Sequence, residues 1–304
     1  MPMALRRPTV FALIACTLLA VSCGGTGSST ATSNSSCPNG GTIRFGVEPF
    51  DDAATMQPVY EQLATLVGRQ LGCTVQVDIT TNYTAEVEAM RAGKLEVGEF
   101  GPLGYVFAHK IANAQPVATF ADKTGAPLTY FATIVTTPNT GIKSLQDVAG
   151  HTFAYSDPAS TSGHLFPAYA LKQAGIDPDN GVKATYAGSH TASFLAIKNH
   201  KVDAGEMNSD TITSATAQGQ YQASDYVTLW KSDPIPQDPI TVRGDLPSDF
   251  KARFTATLLG LDLTVITDPK AVLIGPKMVV QTDASYKQIG DLAGTLGIDV
   301  NHIG

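Results

Sequence analysis

Between two structured runs the chain reads Asp157-Pro158-Ala159-Ser160-Thr161-Ser162-Gly163-His164. Three consecutive hydroxyls and the backbone N–H groups around Gly163 gather where a strand gives way to a helix. At the positive end of a helix dipole such donors hold phosphate-like oxygens without help from Arg or Lys. Thr161 or Ser162 could equally do no more than cap the helix, and this stretch alone leaves both readings open. Covalent chemistry has less support. No G-x-S-x-G elbow is present, and no Asp–His relay for Ser160 or Ser162 is legible. The histidines at 109, 151, 164, 190, 200 and 302 lack metal-ligand spacing, and no G-x-x-x-x-G-K-[ST] loop occurs. Glu96 and Glu99 stand three apart in a strand-like run, which points them to opposite faces. No catalytic residue, metal site or cofactor is expected.

The elements that must position these hydroxyls alternate strand and helix. Thr42–Val47 and Cys73–Ile79 read as strands. Between them Val59, Tyr60, Leu63, Leu66, Val67 and Leu71 recur at helical spacing, with Pro58 suited to the first turn and Gly72 to the stop. A short helix is predicted over Thr84–Arg91, a strand around Leu95–Val97, a helix near Leu103–Ala112 and a strand at Val117–Phe120. After Gly141 the alternation resumes. Ser144 to Asp147 has capping-box spacing, His151–Tyr155 is strand-like, and a helix over about Gly163–Ala174 accepts Pro167 near its first turn. A strand at Lys183–Tyr186 and a helix over His190–Asn199 continue it. The fold class is α/β with mostly parallel sheets. Tyr130–Pro138 and Asp233–Pro239 read as two passages between lobes. They divide the body into a discontinuous lobe, 38–135 plus 239–304, and an inserted lobe, 136–238, with a cleft between them that hinge motion can close.

The N-terminus bears on the compartment. Arg6 and Arg7 precede an apolar run from Val10 to Val21 that is too short for a comfortable transmembrane helix. The run ends Leu19-Ala20-Val21-Ser22-Cys23, similar to a bacterial lipobox. Residues 1–22 are therefore expected to be a signal peptide and Cys23 a lipidated N-terminus, an ordinary cleaved signal being the alternative. Gly24–Ser36 contains only Gly, Ser, Thr, Asn and Ala, a flexible tether with a typical span of roughly 20 Å. Loss of Arg6 and Arg7 takes the formal charge from −7 to −9. A body this acidic lacks the dense basic face that nucleic acid requires. Cys37 and Cys73 remain as a pair, each close to the start of a strand. If those strands are parallel neighbours their starts lie together, and a disulfide follows in an oxidising compartment.

The Asp157–Gly163 run resembles the signature of the phosphonate-binding proteins that serve ABC importers, a family that includes phosphite and phosphate binders. Further stretches match in order: Ala187-Gly188-Ser189-His190, then Lys201-Val202-Asp203-Ala204 leading to Asn208-Ser209-Asp210. Trp230-Lys231-Ser232 follows, with Ile235-Pro236-Gln237-Asp238-Pro239 after it. The resemblance runs from Phe45 to the final helix and implies a two-lobed periplasmic-binding-protein fold of type II. It implies that Ser160, Thr161 and Ser162 hold phosphonate oxygens, with His190 as a further donor and Tyr83 and Tyr130 contributed by the first lobe. Asp210 and Asp238 match the acidic pair that receives a ligand's ammonium group, Asp210 standing where some members have Glu. Phe100 occupies a spot where an aromatic hydroxyl can occur.

Each of these residues also has a plainer role open to it: helix caps for His190 and Asp210, a turn for Asp238, core aromatics for Tyr83 and Tyr130. Two carboxylates beside a bound anion repel it unless the ligand brings a cation or hydroxyl donors. For phosphate, an Asp can accept the hydrogen bond of a protonated oxygen. The expected protein is a monomeric, lipid-anchored receptor that closes on a phosphonate, phosphite or phosphate and presents it to a membrane permease and its ATPase. A sensor reporting to a membrane kinase and a serine hydrolase are the readings from other classes.

Overall fold

A computed structural model of the chain describes residues 36–267 and 274–302. The expected signal peptide, the lipidation site Cys23 and the tether up to residue 35 lie outside the described residues.

The first half of the body is built from β1 (Thr42–Val47), α1 (Ala53–Leu71), β2 (Thr74–Ile79), α2 (Tyr83–Arg91), β3 (Val97–Glu99), α3 (Pro102–Ala112) and β4 (Ala114–Ala121). β1 lies between β2 and β3, parallel to both. α1 forms because Val59, Tyr60, Leu63, Val67 and Leu71 share one buried face. The Asp52 side chain accepts the Ala54 N–H at its start, and Gly72, in the left-handed region, returns its N–H to Gly68 at its end. The helix begins five residues before Pro58, so this proline sits in the helix interior, not the first turn. It forfeits one ladder bond and crowds the Ala54 carbonyl, a cost that the buried face outweighs.

The chain then runs through the two-residue strand β5 (Thr129–Tyr130) into β6 (Ala132–Thr136), β7 (Thr152–Tyr155), α4 (Phe166–Gln173), β8 (Lys183–Tyr186), α5 (His190–Lys198), β9 (Ala204–Asn208), α6 (Ser209–Ala217) and β10 (Val227–Lys231). These strands form a second sheet in the order β10-β6-β9-β7-β8. The Ser144–Asp147 box is made, the Ser144 hydroxyl donating to Asp147 at 2.9 Å, but it opens only a 3-10 turn. The chain returns through β11 (Ile235–Pro236) to β12 (Ile240–Arg243), α7 (Ser248–Gly260), β13 (Lys277–Val280) and α8 (Lys287–Thr295). β12 and β13 complete the first sheet, in the order β13-β4-β12-β3-β1-β2. In each sheet four strands share one direction, the exceptions being β12 and β13 in the first and β6 in the second.

The two passages pair with each other: β5 and β11 form an antiparallel ribbon, Tyr130 opposite Ile235. Since β6 already belongs to the second sheet, the first crossing falls at Phe131, four residues before the expected boundary. The run from Tyr130 to Thr137 is β-prone throughout, so its composition carries no mark of where the chain changes sheet. Helices cover both faces of the first sheet: α1 and α7 pack on one side, α2, α3 and α8 on the other. Cys37 and Cys73 are disulfide-bonded at the parallel starts of β1 and β2. No described helix is long and apolar enough to cross a membrane.

Candidate functional site

Ligands of α/β proteins bind beyond the carboxyl ends of the parallel strands, where loops and helix starts converge. Glu48 follows β1, Tyr83 starts the helix after β2, Glu99 ends β3, Ser160 follows β7 and Asp210 follows β9. All five line one small cavity of about 40 Å³ between the two sheets. By that measure it has room for about three waters, hence for a ligand of a few non-hydrogen atoms.

The hydroxyl cradle is built by an irregular helix start. Thr161–Leu165 is a single π turn that leads into α4, with Ser160 as its cap accepting the Gly163 N–H at 3.1 Å. Gly163 is required by close approach: a Cβ there would fall 1.7 Å from Ser156 Oγ. Pro167 takes an early position in α4, where its missing N–H costs nothing. Ser160, Thr161 and Ser162 are all buried. Asn208, which caps α6 through its Oδ1, donates through Nδ2 to Ser162 Oγ at 3.2 Å. That leaves the Ser162 hydroxyl proton free to point elsewhere.

His190 is the first residue of α5, and Ser189 is the cap, so the imidazole has no capping duty. Its Nε2 lies 3.2 Å from Ser160 Oγ and 3.5 Å from Ser162 Oγ. Its Nδ1 meets both oxygens of the fully buried Glu206, at 3.0 and 2.9 Å. A relay for the serines therefore does exist, supplied by Glu206 and His190. Sequence reading missed it because the partners lie on different elements. A signal was available: Glu206 is the one ionisable residue in the wholly buried strand Ala204–Asn208. Burial alone would lower the His190 pKa. The Glu206 carboxylate, by charge and by hydrogen bond, carries it above the ordinary histidine value instead. The imidazole is thereby favoured as a cation with Nε2–H facing the cradle.

The opposite wall is acidic and aromatic. Tyr83, Tyr130, Asp210 and Asp238 all line the cavity. The capping alternative for Asp210 falls to Asn208, and Asp210 instead accepts from Gln237 Nε2 at 3.4 Å. Tyr83 follows the capping Asn82 in α2, and its hydroxyl has no partner. Phe100 is not among the lining residues. Its ring is fully buried against Gly98 beneath the wall, so the expected contact is absent because the side chain belongs to the core. Tyr60, Glu48 and Glu99, none of them expected as ligand-site residues, take part in the wall. Tyr60 donates to Glu99 Oε1 at 3.0 Å, and burial pushes the Glu99 carboxyl up to about 8 against that bond. Burial, and then the nearby Asp238 charge, holds Glu48 well above the carboxylate range. For Asp238 the same direction follows from burial and from Glu99. Glu96 points away, as its strand position requires, to Arg44 and Arg243.

Contacts also close the cavity from side to side. The Leu103 N–H at the start of α3 donates to Thr161 Oγ1 at 2.8 Å, and the His190 N–H donates to the Phe50 carbonyl at 3.1 Å. The hydroxyls of Thr191 and Ser214 both donate to Asp51, the latter at 3.4 Å. No group of three or more His, Cys, Asp or Glu among the described residues is arranged to hold a metal ion.

Two α/β lobes joined by a paired ribbon, with a donor-lined cavity between them, define a periplasmic binding protein of type II. The family described as "ABC transporter, phosphonate, periplasmic substrate-binding protein" matches residues 45–275, and the chain belongs to it. It is 31% identical over 229 residues to the phosphate-import protein PhnD of Mycolicibacterium smegmatis, covering 72% of this chain and 70% of that one. It is 25% identical to the phosphonates-binding periplasmic protein of Escherichia coli, over 76% and 69% of the two chains. Among solved structures, PhnD1 of Prochlorococcus marinus in complex with methylphosphonate has the same fold. The TM-score is 0.75 at 21% identity, covering 85% of this chain and 99% of that one. As a member of this family the protein is a substrate-binding component of an ABC importer, and such proteins are exported.

Proposed function

We propose that this protein captures a small phosphorus oxyanion, a phosphonate, phosphite or phosphate, and delivers it while anchored to the outer face of the membrane through Cys23. The carrying observation is the cradle of Ser160, Thr161 and Ser162 backed by the Glu206–His190 relay, in a cavity with no Lys or Arg among its described lining residues. Polarised hydroxyls and one imidazolium match a tetrahedral anion in charge and in donor number. The names of its relatives point to the same ligand series. The family supports use of the relay in binding rather than in catalysis. Ser160 Oγ already accepts from Gly163, and the Glu206 carboxylate shifts His190 towards the charged form, which cannot take up the serine proton.

The mechanism is ligand-stabilised closure. Lobe 1 (38–131 plus 239–304) and lobe 2 (132–238) each supply part of the cavity wall, so the full set of contacts exists only when they meet. A ligand bound to both shifts the equilibrium towards the closed form that a permease and its ATPase read. Calorimetric titration of the tether-free body, stripped of ligand by unfolding and refolding, tests the proposal. The panel is phosphate, phosphite, methylphosphonate, 2-aminoethylphosphonate and sulfate. Binding within the phosphorus series, lost in His190→Ala, is the expected result; tight binding of sulfate, or turnover of an activated ester, would sink it. A second reading narrows the ligand to inorganic phosphate, which the small cavity and its donor-rich wall favour.

A further inference from the structure

Anion binding by the cradle leaves the opposite wall unexplained. Apart from Asp51, which accepts from Thr191 and Ser214, four carboxyl groups line the cavity: Glu48, Glu99, Asp210 and Asp238. Glu86 and Asp157 lie close enough to act on Glu48 electrostatically. Against these six stands one imidazole, itself paired with Glu206. If all six were ionised in a dry volume of this size, a phosphorus oxyanion would be expelled whatever cation it carried. Most of them must be neutral, and the hydrogen bonds indicate where two of the protons sit. Glu99 accepts from Tyr60 through Oε1, and Glu48 accepts from the Gly101 backbone N–H. The remaining oxygens, Glu48 Oε2 and Glu99 Oε2, are buried without any partner. An accepting oxygen has no need of a proton. An orphaned one, if it carries the O–H, becomes a donor that lacks only an acceptor.

We propose that Glu48 and Glu99 are neutral carboxylic acids donating hydrogen bonds from lobe 1. The ligand group that faces them is then an acceptor oxygen, not an alkyl or ammonium substituent. The inference rests on the phosphorus-oxyanion reading and narrows it to a fully oxygenated centre, inorganic phosphate. The orphaned Tyr83 hydroxyl on the same wall is a third donor awaiting the same kind of partner. A methyl group in that position would leave these donors unpaired, and site-built donors reject analogues that lack their acceptor. The groups facing Glu48 and Glu99 from the packed elements are Tyr60 on α1, Tyr83 and Glu86 on α2, and Tyr130 on β5. Asp157, His190, Asp210 and Asp238 face them from the loops and helix starts of the other side. His190 is the one group among these that favours the ionised forms of the two acids, and Glu206 already pairs with it; the rest are acids or phenols that do not oppose their protonation.

The test combines binding and infrared spectroscopy on the mature protein, with Glu48→Gln, Glu99→Gln and Glu99→Ala. Ligands are inorganic phosphate, methylphosphonate and 2-aminoethylphosphonate at pH 7 and pH 9. Phosphate is expected to bind at least about tenfold more tightly than methylphosphonate. With the Glu99 carboxyl pushed up to about 8, the wild type loses roughly another tenfold between the two pH values. Glu99→Gln, whose amide donates at any pH, flattens that loss relative to the wild type measured with the same ligand. Glu99→Ala weakens phosphate binding at both pH values. The ligand-free wild type at pH 7 shows protonated-carboxyl absorption that diminishes in each Gln variant. The inference is overturned if that absorption is absent. It is equally overturned if 2-aminoethylphosphonate binds tightest and the Gln variants lose only that ligand, since the wall would then be an ionised cation site. If no panel member binds while the absorption is present, the phosphorus reading falls with its ligand assignment, and the protonation of the two acids stands.

Discussion

Replacing Glu206 by Gln removes a charge that never touches the ligand, yet it should cost much of the affinity. In the native site Glu206 grips His190 Nδ1 with both oxygens at about 3 Å and is itself fully buried. The substituted amide would keep an acceptor for Nδ1–H but no longer hold a charge against burial, which alone lowers the His190 pKa. At pH 7 the imidazole would then be neutral. An oxyanion in the cradle sits roughly 4 Å from the ring, and at an effective dielectric of about 20 the lost attraction is about 4 kcal/mol. Partial solvation trims this, so a 10²- to 10³-fold rise in Kd is the working figure. The sign with pH is distinctive. In the wild type the histidine stays charged above its ordinary value and loses its contribution only as pH rises through that raised pKa. In Glu206→Gln the contribution is missing at pH 7 and returns as pH falls through the lowered one. Calorimetry from pH 5 to 8, wild type and variant on the same ligand, separates this from the ligand's own titration. Undiminished affinity at pH 7, or a loss independent of pH, would refute the reasoning.

Two further outcomes follow from the same contacts. Asp51→Ala deletes the side-chain bonds to Thr191 and Ser214 across the lobes. Ligand affinity should weaken by about 1–2 kcal/mol through faster dissociation, and unchanged dissociation kinetics would show that the latch carries nothing. Removing the disulfide with Cys37→Ser and Cys73→Ser opens a closed loop with sequence separation 36. The loop-entropy relation gives a loss of about 4 kcal/mol of stability, to be read from denaturant midpoints, with ligand affinity retained if the variant is folded.

Much of this protein was legible in its sequence because the determining physics is local. Helical spacing of apolar residues located α1, though not its start, and a strand–hydroxyl–glycine–helix run places its donors at a helix start. The cysteine pairing followed from two strand starts, since parallel neighbours must begin side by side. The four ordered stretches sufficed for the family. What the sequence could not supply was proximity between residues far apart in the chain. The family resemblance points to Phe100, and its neighbours Glu99 and Gly101 do line the cavity, yet its own ring turns inward to the core. Glu48, Tyr60 and Glu99 come from three elements, and nothing in any one of them says that their side chains meet. The relay from Glu206 through His190 to Ser160 joins β9, the start of α5 and the turn after β7, and exists only once the second sheet has formed. Protonation is decided later still. A carboxyl's charge depends on how much water and how many like neighbours remain around it, and those are properties of the folded cavity, not of the residue.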